Sequence, residues 1–427
     1  MTIRLLVLCL VGVACLSATV TTNAAALGIV LEVPALDAPL HVAVPVPNGA
    51  LVPGDDMPTL VEEGAIGTSI AYDLVPLLAA DGSAHKTRLR LMATIPPRPG
   101  ATGVRRFAFK PARGSTTRKA FAISDVNDKS VRLDGLSIPG VKRPVLVYNH
   151  GMISKEGVPA RYNRAGYIHP LYDTNGVAIT EDFPKDHPHH RGVWWSWPHI
   201  KIDGKEYNSW IPTGIHTKHE RWVLKHEGTA AGILAAENGW YVGEKKVMRE
   251  FVWIIAYAAP GSTRRTVDIE LTWTPVGKPI ALQGAGGKSY GGLTYRFAQA
   301  EGQPSANRRK DTKIIIDSGL TKKDLPNTRL AWADITGHAA GAKIRSGCAV
   351  FVPKDHPDFP PTWLTRHYGP LCVGWPGVKA RTFPPGEPFG VRYRLLVHVG
   401  DPAVPALKAA YAAYNTHNAV KLKPVTP

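Results

Sequence analysis

The chain has 427 residues, with 51 Lys and Arg against 34 Asp and Glu, a formal net charge of +17. Its basic residues are scattered, with no basic tract, which argues against a nucleic-acid partner; an acidic polysaccharide or an anionic envelope suits such a surface equally well. Beyond the N-terminus no stretch approaches the ~20 apolar residues of a membrane-spanning helix, so no membrane span is expected.

The N-terminus reads "MTIRLLVLCLVGVACLSATVTTNAAALG". Arg4 gives a short positive region, Leu5 to Leu16 an apolar run, and Ala24 to Ala26 a small-residue cleavage site. This is the pattern of a secretory signal peptide over residues 1–26, and it predicts a periplasmic or secreted protein. Of the four cysteines, Cys9 and Cys15 would leave with the leader. Cys348 and Cys372 would then remain as an even pair in an oxidising compartment, and a Cys348–Cys372 disulfide is the expectation, two buried thiols the alternative.

Residues 27–124 are rich in Ala, Val and Pro and nearly free of histidine, as in a smaller N-terminal β domain. The turn-rich "PARGSTT" at Pro111 to Thr117 is the best boundary signal, and the main domain is expected over 129–427. There "RTVDIELTW" alternates strictly, with Val267, Ile269, Leu271 and Trp273 on one face, a half-buried strand. "MREFVWIIAYA", "YGGLTYRFA" and "GVRYRLLVHVG" read as further strands separated by short turn-rich breaks. Only "PALKAAYAAYNTH" has helical spacing. The fold class expected is therefore all-β, a large antiparallel sandwich with a smaller β domain before it and one C-terminal helix.

Nine of the sixteen histidines lie between His150 and His226. The densest group stands in "FPKDHPHHRGVWWSW", with His187, His189, His190 and Arg191 beside Asp186. Imidazoles titrating near neutral pH serve as general acids, general bases or metal ligands, so clustering carries information. An extended backbone would put His187 and His189 on one face and His190 on the other. That pair could hold one divalent metal ion, with a third ligand from His169, His216, His356 or a carboxylate. The spacing matches no strong zinc signature. Candidate carboxylates are Asp173, Glu181, Asp186, Asp203, Glu206 and Asp355, and spacing alone selects no pair.

Arg191 and Arg296 suit an anion or sugar hydroxyls through their planar forks. Trp195, among the three tryptophans after Arg191, is placed as a stacking surface for a sugar ring. Trp210, Trp363 and Trp375 could line the same pocket. The triplet Asp-His-Pro with its preceding Pro-Lys recurs at Pro353 to Pro357 and leads into "DFPPTWLTRHYGP". His356, Arg366 and His367 there repeat the mixture of imidazole and guanidinium, and Tyr368 adds an aromatic ring. Both segments read as Pro-stiffened loops on a β scaffold, and the expectation is that they border one site.

Taken together, "RPVLVYNHG", "YIHPLYDTNGVAIT", "FPKDHPHHRGVWWSW", "YGGLTYRFA" and "DHPDFPPTWLTRHYGP" resemble the PmoA-like ("methane oxygenase PmoA") family of secreted bacterial proteins. The resemblance runs from about Val141 to Val399 and carries over His169, Asp186, His187, His189, His190, Arg191, Arg296 and His356. The strand pattern around "YGGLTYRF" is similar to the large sandwiches of the galactose-mutarotase type, which implies a sugar-binding groove bearing His and Arg.

The expectation is an exported carbohydrate-active enzyme, a hydrolase or lyase on a sugar or glycoside. His187, His189, His190 and His169 would be catalytic; Arg191, Arg296, Trp195, His356, Arg366 and His367 would bind substrate. A non-catalytic carbohydrate-binding protein is one alternative, and a metal-dependent oxidoreductase, as the family label implies, is another. If the site lacks a carboxylate pair, imidazole-driven elimination or epimerisation is expected rather than ordinary glycoside hydrolysis.

Overall fold

A computed structural model describes residues 28–424, except 52–56, 66–68, 112–117, 139–140, 260 and 300–309. The signal-peptide segment and most of "PARGSTT" lie outside the described residues. Two nine-stranded antiparallel sheets face each other across the principal core. The first, here the site sheet, runs in the order Leu325–Arg329, Thr362–Thr365, Pro370–Gly374, Gly292–Arg296, Val193–Ser196, Tyr167–Leu171, Val141–Asn149, Ser130–Ile138, Phe121–Asn127. The second, the back sheet, is built on the long strands His216–Glu227, Ala231–Val242, Lys245–Tyr257, Arg264–Pro275 and Phe389–Val399.

Period-two patterning explains the packing. Val267, Ile269, Leu271 and Trp273 all enter the core, and across the strand pair so do Tyr393, Leu395 and Val397. The alternation that predicts these strands thus also predicts their inward face. The opposite face of the back sheet is covered twice. The hairpin of Tyr72–Leu78 and Ala84–Ile95 lays Val75 and Met92 on Ile233, Trp253 and Ile255. Asp73 fastens it by accepting the backbone N–H groups of Thr229, Ala230 and Ala231 at 2.8–2.9 Å. The C-terminal helix Val404–Tyr414 packs Leu407 and Tyr414 on Phe351 and Leu396.

The strands between Ile29 and Lys110 form two smaller sheets around a separate core of Leu31, Val33, Leu60, Leu91, Phe107 and their neighbours. Lys421–Pro424 returns to pair with the first of them, Ile29–Pro34.

The expected disulfide is absent, for a geometric reason. Cys348 points from the back sheet into the principal core, whereas Cys372 points out of the far face of the site sheet, among Tyr167, Trp194 and Trp210. The site sheet itself stands between them. Both are buried free thiols, and burial raises both above the ordinary thiol range, Cys372 to about 12.

Candidate functional site

The DHPHHRG segment does not run as a strand. His187 N–H donates to Pro184 O (3.1 Å) and His190 N–H to His187 O (2.8 Å), so two successive turns fold it back on itself. The second turn brings residues three apart together. His187 and His190 therefore stack at 4.6 Å and 17° instead of diverging onto opposite faces. His189 meets both edge-on, at 5.7 and 4.7 Å. The three histidines form one cluster, and the expected two-face arrangement is corrected.

Arg191 holds the loop in shape. Fully buried, it donates from Nη1 to the carbonyls of Pro188 (2.9 Å) and His190 (2.8 Å) and from Nη2 to Tyr162 O. Its Nε lies 3.4 Å from Asp182, and its guanidinium covers the Phe183 ring at 3.5 Å. Gly192 then crosses Ile168 so closely that a Cβ would fall 2.3 Å from its carbonyl oxygen, which is why glycine follows the arginine. Arg296, also fully buried, donates from Nη2 to both oxygens of Asp186 (2.9 and 3.1 Å) and from Nε to Glu181 (3.1 Å). Both arginines, expected as substrate clamps, thus turn most of their donors to the protein's own groups.

His187 is the open member of the cluster, its side chain 35% exposed. It is sandwiched between His190 and Tyr368, the latter at 5.3 Å and 7° from parallel. Its Nδ1 stands 3.1 Å from Asp186 Oδ2, out of line for a full hydrogen bond. Burial works to raise the Asp186 carboxyl, but His187 and the Arg296 guanidinium hold it far below the usual carboxylate range. His189 and His190 are neutral. Burial lowers His189 to about 4, helped by His187 and the nearby arginines, and drives His190 well below the ordinary imidazole value, helped by Arg296. The Arg296 Nη1 at 3.4 Å from His190 Nδ1 can only donate, which places the His190 proton on Nε2.

Around the cluster the outer face of the site sheet is aromatic. Tyr162 lies 6.3 Å from His189, Trp210 lies 5.7 Å from His190, and Tyr290 packs on Trp210 at 4.6 Å. Tyr162, Tyr290 and Tyr368 are half-buried and offer ring surface. Trp194, not Trp195, faces this side, 5.2 Å from His190. Trp195 points the other way, into the core, where its indole N–H donates to Glu250 (2.9 Å). The assignment of Trp195 to substrate is corrected accordingly. Trp363 and Trp375 are core residues too.

His169 lies beneath the loop, its Nδ1 3.1 Å from the Thr180 hydroxyl and its pKa lowered by burial. Arg366 and His367 follow the neighbouring strand but turn to Asp324, at 3.4 and 2.9 Å. His356 is not part of the cluster. Tyr368 precedes the strand Pro370–Gly374 and Trp375, 6.0 Å from the His356 ring, follows it. Five residues of strand separate the two ends by about 16 Å. The two Asp-His-Pro loops therefore sit at opposite ends of one strand, and the expectation that they border one site is corrected. Asp355 pairs with Arg392 (2.7 Å), and burial lowers His356 to about 4.

The metal expectation for His187 and His189 also lacks its third ligand. Among the described residues no group of three or more His, Cys, Asp or Glu side chains is arranged to hold a metal ion. His216 packs on Tyr241, and Asp173 caps its own turn. Glu206 pairs with His199.

The fold and site define an all-β double-sheet protein with a histidine–aspartate–tyrosine cluster on the outside of one sheet. The chain belongs to DUF6807, a family of unknown function, which it matches over residues 138–412. None of the curated proteins compared matches the sequence. Among solved structures it is similar to an α-mannosidase from Enterococcus faecalis V583 (8% identity, TM-score 0.38, 93% of this chain and 46% of that one). It is similar also to the GH36 α-galactosidase AgaB from Geobacillus stearothermophilus (11%, 0.32, 66% and 41%). A third likeness is to a galactose mutarotase related enzyme from Lactobacillus acidophilus (8%, 0.30, 65% and 97%). The chain spans less than half the length of the mannosidase and the galactosidase.

Proposed function

We propose that this is an exported enzyme acting on a carbohydrate by imidazole proton transfer, an elimination or epimerisation rather than a two-carboxylate glycoside hydrolysis. The observation that carries this reading is the setting of His187. It is a half-buried imidazole stacked between two rings, with Nδ1 beside a carboxylate that is held ionised. Such a carboxylate orients the ring and stabilises the imidazolium formed when Nε2 takes up a proton. Neutral His189 and the Nε2–H of His190 supply hydrogen-bond donors and acceptors without a competing charge. Glycoside hydrolysis by paired carboxyl groups needs one of them protonated. Asp186 is engaged by Arg296, which opposes that state. The half-buried Tyr162, Tyr290 and Tyr368 give flat apolar surface of the kind on which sugar rings stack.

The resemblance to PmoA-like proteins, carried by the five stretches between about Val141 and Val399, we take as kinship of sequence rather than as a methane-oxidising role. We also take residues 27–124 and 129–427 as separate units. The separate core of the N-terminal strands supports this, and the pairing of Phe121–Asn127 within the site sheet favours a division close to residues 111–117.

The test is incubation of purified protein in deuterated water with neutral and uronate-containing oligosaccharides. Deuterium entering a sugar C–H position, or a new ultraviolet-absorbing double bond, is the expected result, lost in His187→Ala. Tight binding of a sugar with neither product would make the protein a binder and overturn the reading.

A further inference from the structure

A large cavity lies on the opposite side of the sandwich from His187. It holds about 1020 Å³, at the upper end of small-molecule pockets. Its walls come from three parts of the fold. These are the outer face of the back sheet (Thr266, Arg394, Leu396), the N-terminal strands (His41, Ile70, Thr94) and the C-terminal helix (Ala406, Ala409, Ala410). Ala409 and Ala410 put no side chain beyond Cβ into the space, so the helix stands over it without filling it.

The charged groups at the cavity are mostly of one sign. His41 is neutral, its two ring nitrogens tied to the hydroxyls of Thr94 (3.0 Å) and Thr266 (2.9 Å). Arg394 is only 5% exposed. Its Nε and Nη2 donate to Asp268 at 2.6 and 2.7 Å, while Nη1 has no hydrogen-bond partner among the described residues. The Arg394 Nη1, which Asp268 leaves uncommitted, is a donor able to take an anionic group at the cavity wall. Arg118, Lys119 and Arg264 also line the space, against Asp37 as the one acidic residue there. Mainly apolar walls with an arginine donor and further basic residues suit a molecule that is apolar along its body and anionic at one end.

We propose that this cavity binds a small anionic amphiphile, its carboxylate on Arg394 Nη1 and its apolar body under the helix Val404–Tyr414. The site is independent of the His187 cluster, from which the two-sheet core separates it.

Dodecanoate is the probe, titrated calorimetrically into the full secreted chain, with dodecyltrimethylammonium and dodecyl maltoside as head-group controls. Dodecanoate is expected to bind one to one, and each control at least about tenfold more weakly. Ala409→Trp and Ala410→Trp, which fill the space from a partly exposed helix face, should each weaken dodecanoate about tenfold or more while the unfolding temperature holds. Arg264→Glu should weaken it in the same direction through charge alone. Dodecanoate affinity unchanged in both folded tryptophan variants would overturn the proposal. So would equal binding of the cationic amphiphile, or no binding of dodecanoate to the wild type.

Discussion

The imidazole of His187 lies face to face with the phenol ring of Tyr368, centroids 5.3 Å apart and planes 7° from parallel. The two residues come from segments 181 positions apart, one turn before Val193–Ser196 and the other just before Pro370–Gly374. They meet because both strands flank Gly292–Arg296 in the same sheet. The tyrosine thereby fixes the ring that we assign to proton transfer.

Removing the stack should cost activity without unfolding the protein. Tyr368→Ala is expected to lower kcat about tenfold to a hundredfold by freeing the His187 ring, since small misplacements have effects of that size. Tyr368→Phe keeps the stacked face and should retain most of the rate. Burial pushes the Tyr368 hydroxyl up to about 12, so it does not ionise near neutral pH. Steady-state kinetics on both variants, beside their unfolding curves, decide the matter.

Glu250 is a structural carboxylate, and its loss should be severe. Its Oε2 accepts the indole N–H groups of Trp195 (2.9 Å), Trp240 (3.0 Å) and Trp273 (2.7 Å), and Oε1 accepts the Asn238 amide (2.9 Å). Glu250→Ala would leave four buried donors unpaired and is expected to destabilise the fold by about 3–5 kcal/mol. Trp195→Phe removes one donor only and should cost about 1–2 kcal/mol. Urea unfolding measures both. Sugar turnover unaffected in Trp195→Phe would agree with the placement of that ring in the core.

Acid should destabilise the protein. His189 and His356 are lowered to about 4 from an unperturbed 6.5, and burial lowers His190 well below 6.5 too. Between pH 6.5 and 4 the unfolded chain therefore binds more protons than the folded one at these sites, and stability falls as pH falls through that window. His398 acts in the opposite sense. Burial works to lower it, but Asp334 at 2.8 Å raises it overall, so its contribution is full below 6.5 and is lost as pH rises through its folded value. Urea midpoints measured across this range should decline toward acid, with a shallower slope in His189→Asn.

The two cysteines offer a clean check on the fold. Cys348 and Cys372, as buried thiols on different faces, should resist a thiol reagent in the folded protein and react fully in denaturant. Reductant should leave the unfolding temperature unchanged. A reductant-sensitive transition would contradict their placement.

The strands were legible because one of their faces is apolar and the other is not. Arg264–Pro275 shows its inward face directly in Val267, Ile269, Leu271 and Trp273. Val193–Ser196 is buried on both faces, so alternation does not distinguish Trp194, on the site face, from Trp195, in the core. The histidine cluster was legible as composition. Its shape was not, because a pair of turns set by Pro184 and Pro188 replaces the extended path. Tyr162 and Tyr290 carried no local signal, since sheet pairing alone brings their segments beside the loop. The repeated Pro-Lys-Asp-His-Pro misled, because a shared local sequence fixes a local turn and says nothing about which end of a strand it closes.

The central claim is that His187 moves a proton on a sugar. Its most direct test is solvent deuterium incorporation into sugar C–H positions, followed by mass spectrometry for wild type, His187→Ala and Asp186→Asn. The account predicts incorporation by the wild type, loss of at least about a hundredfold in His187→Ala, and a smaller loss in Asp186→Asn with an altered pH profile. Undiminished incorporation in folded His187→Ala would contradict it.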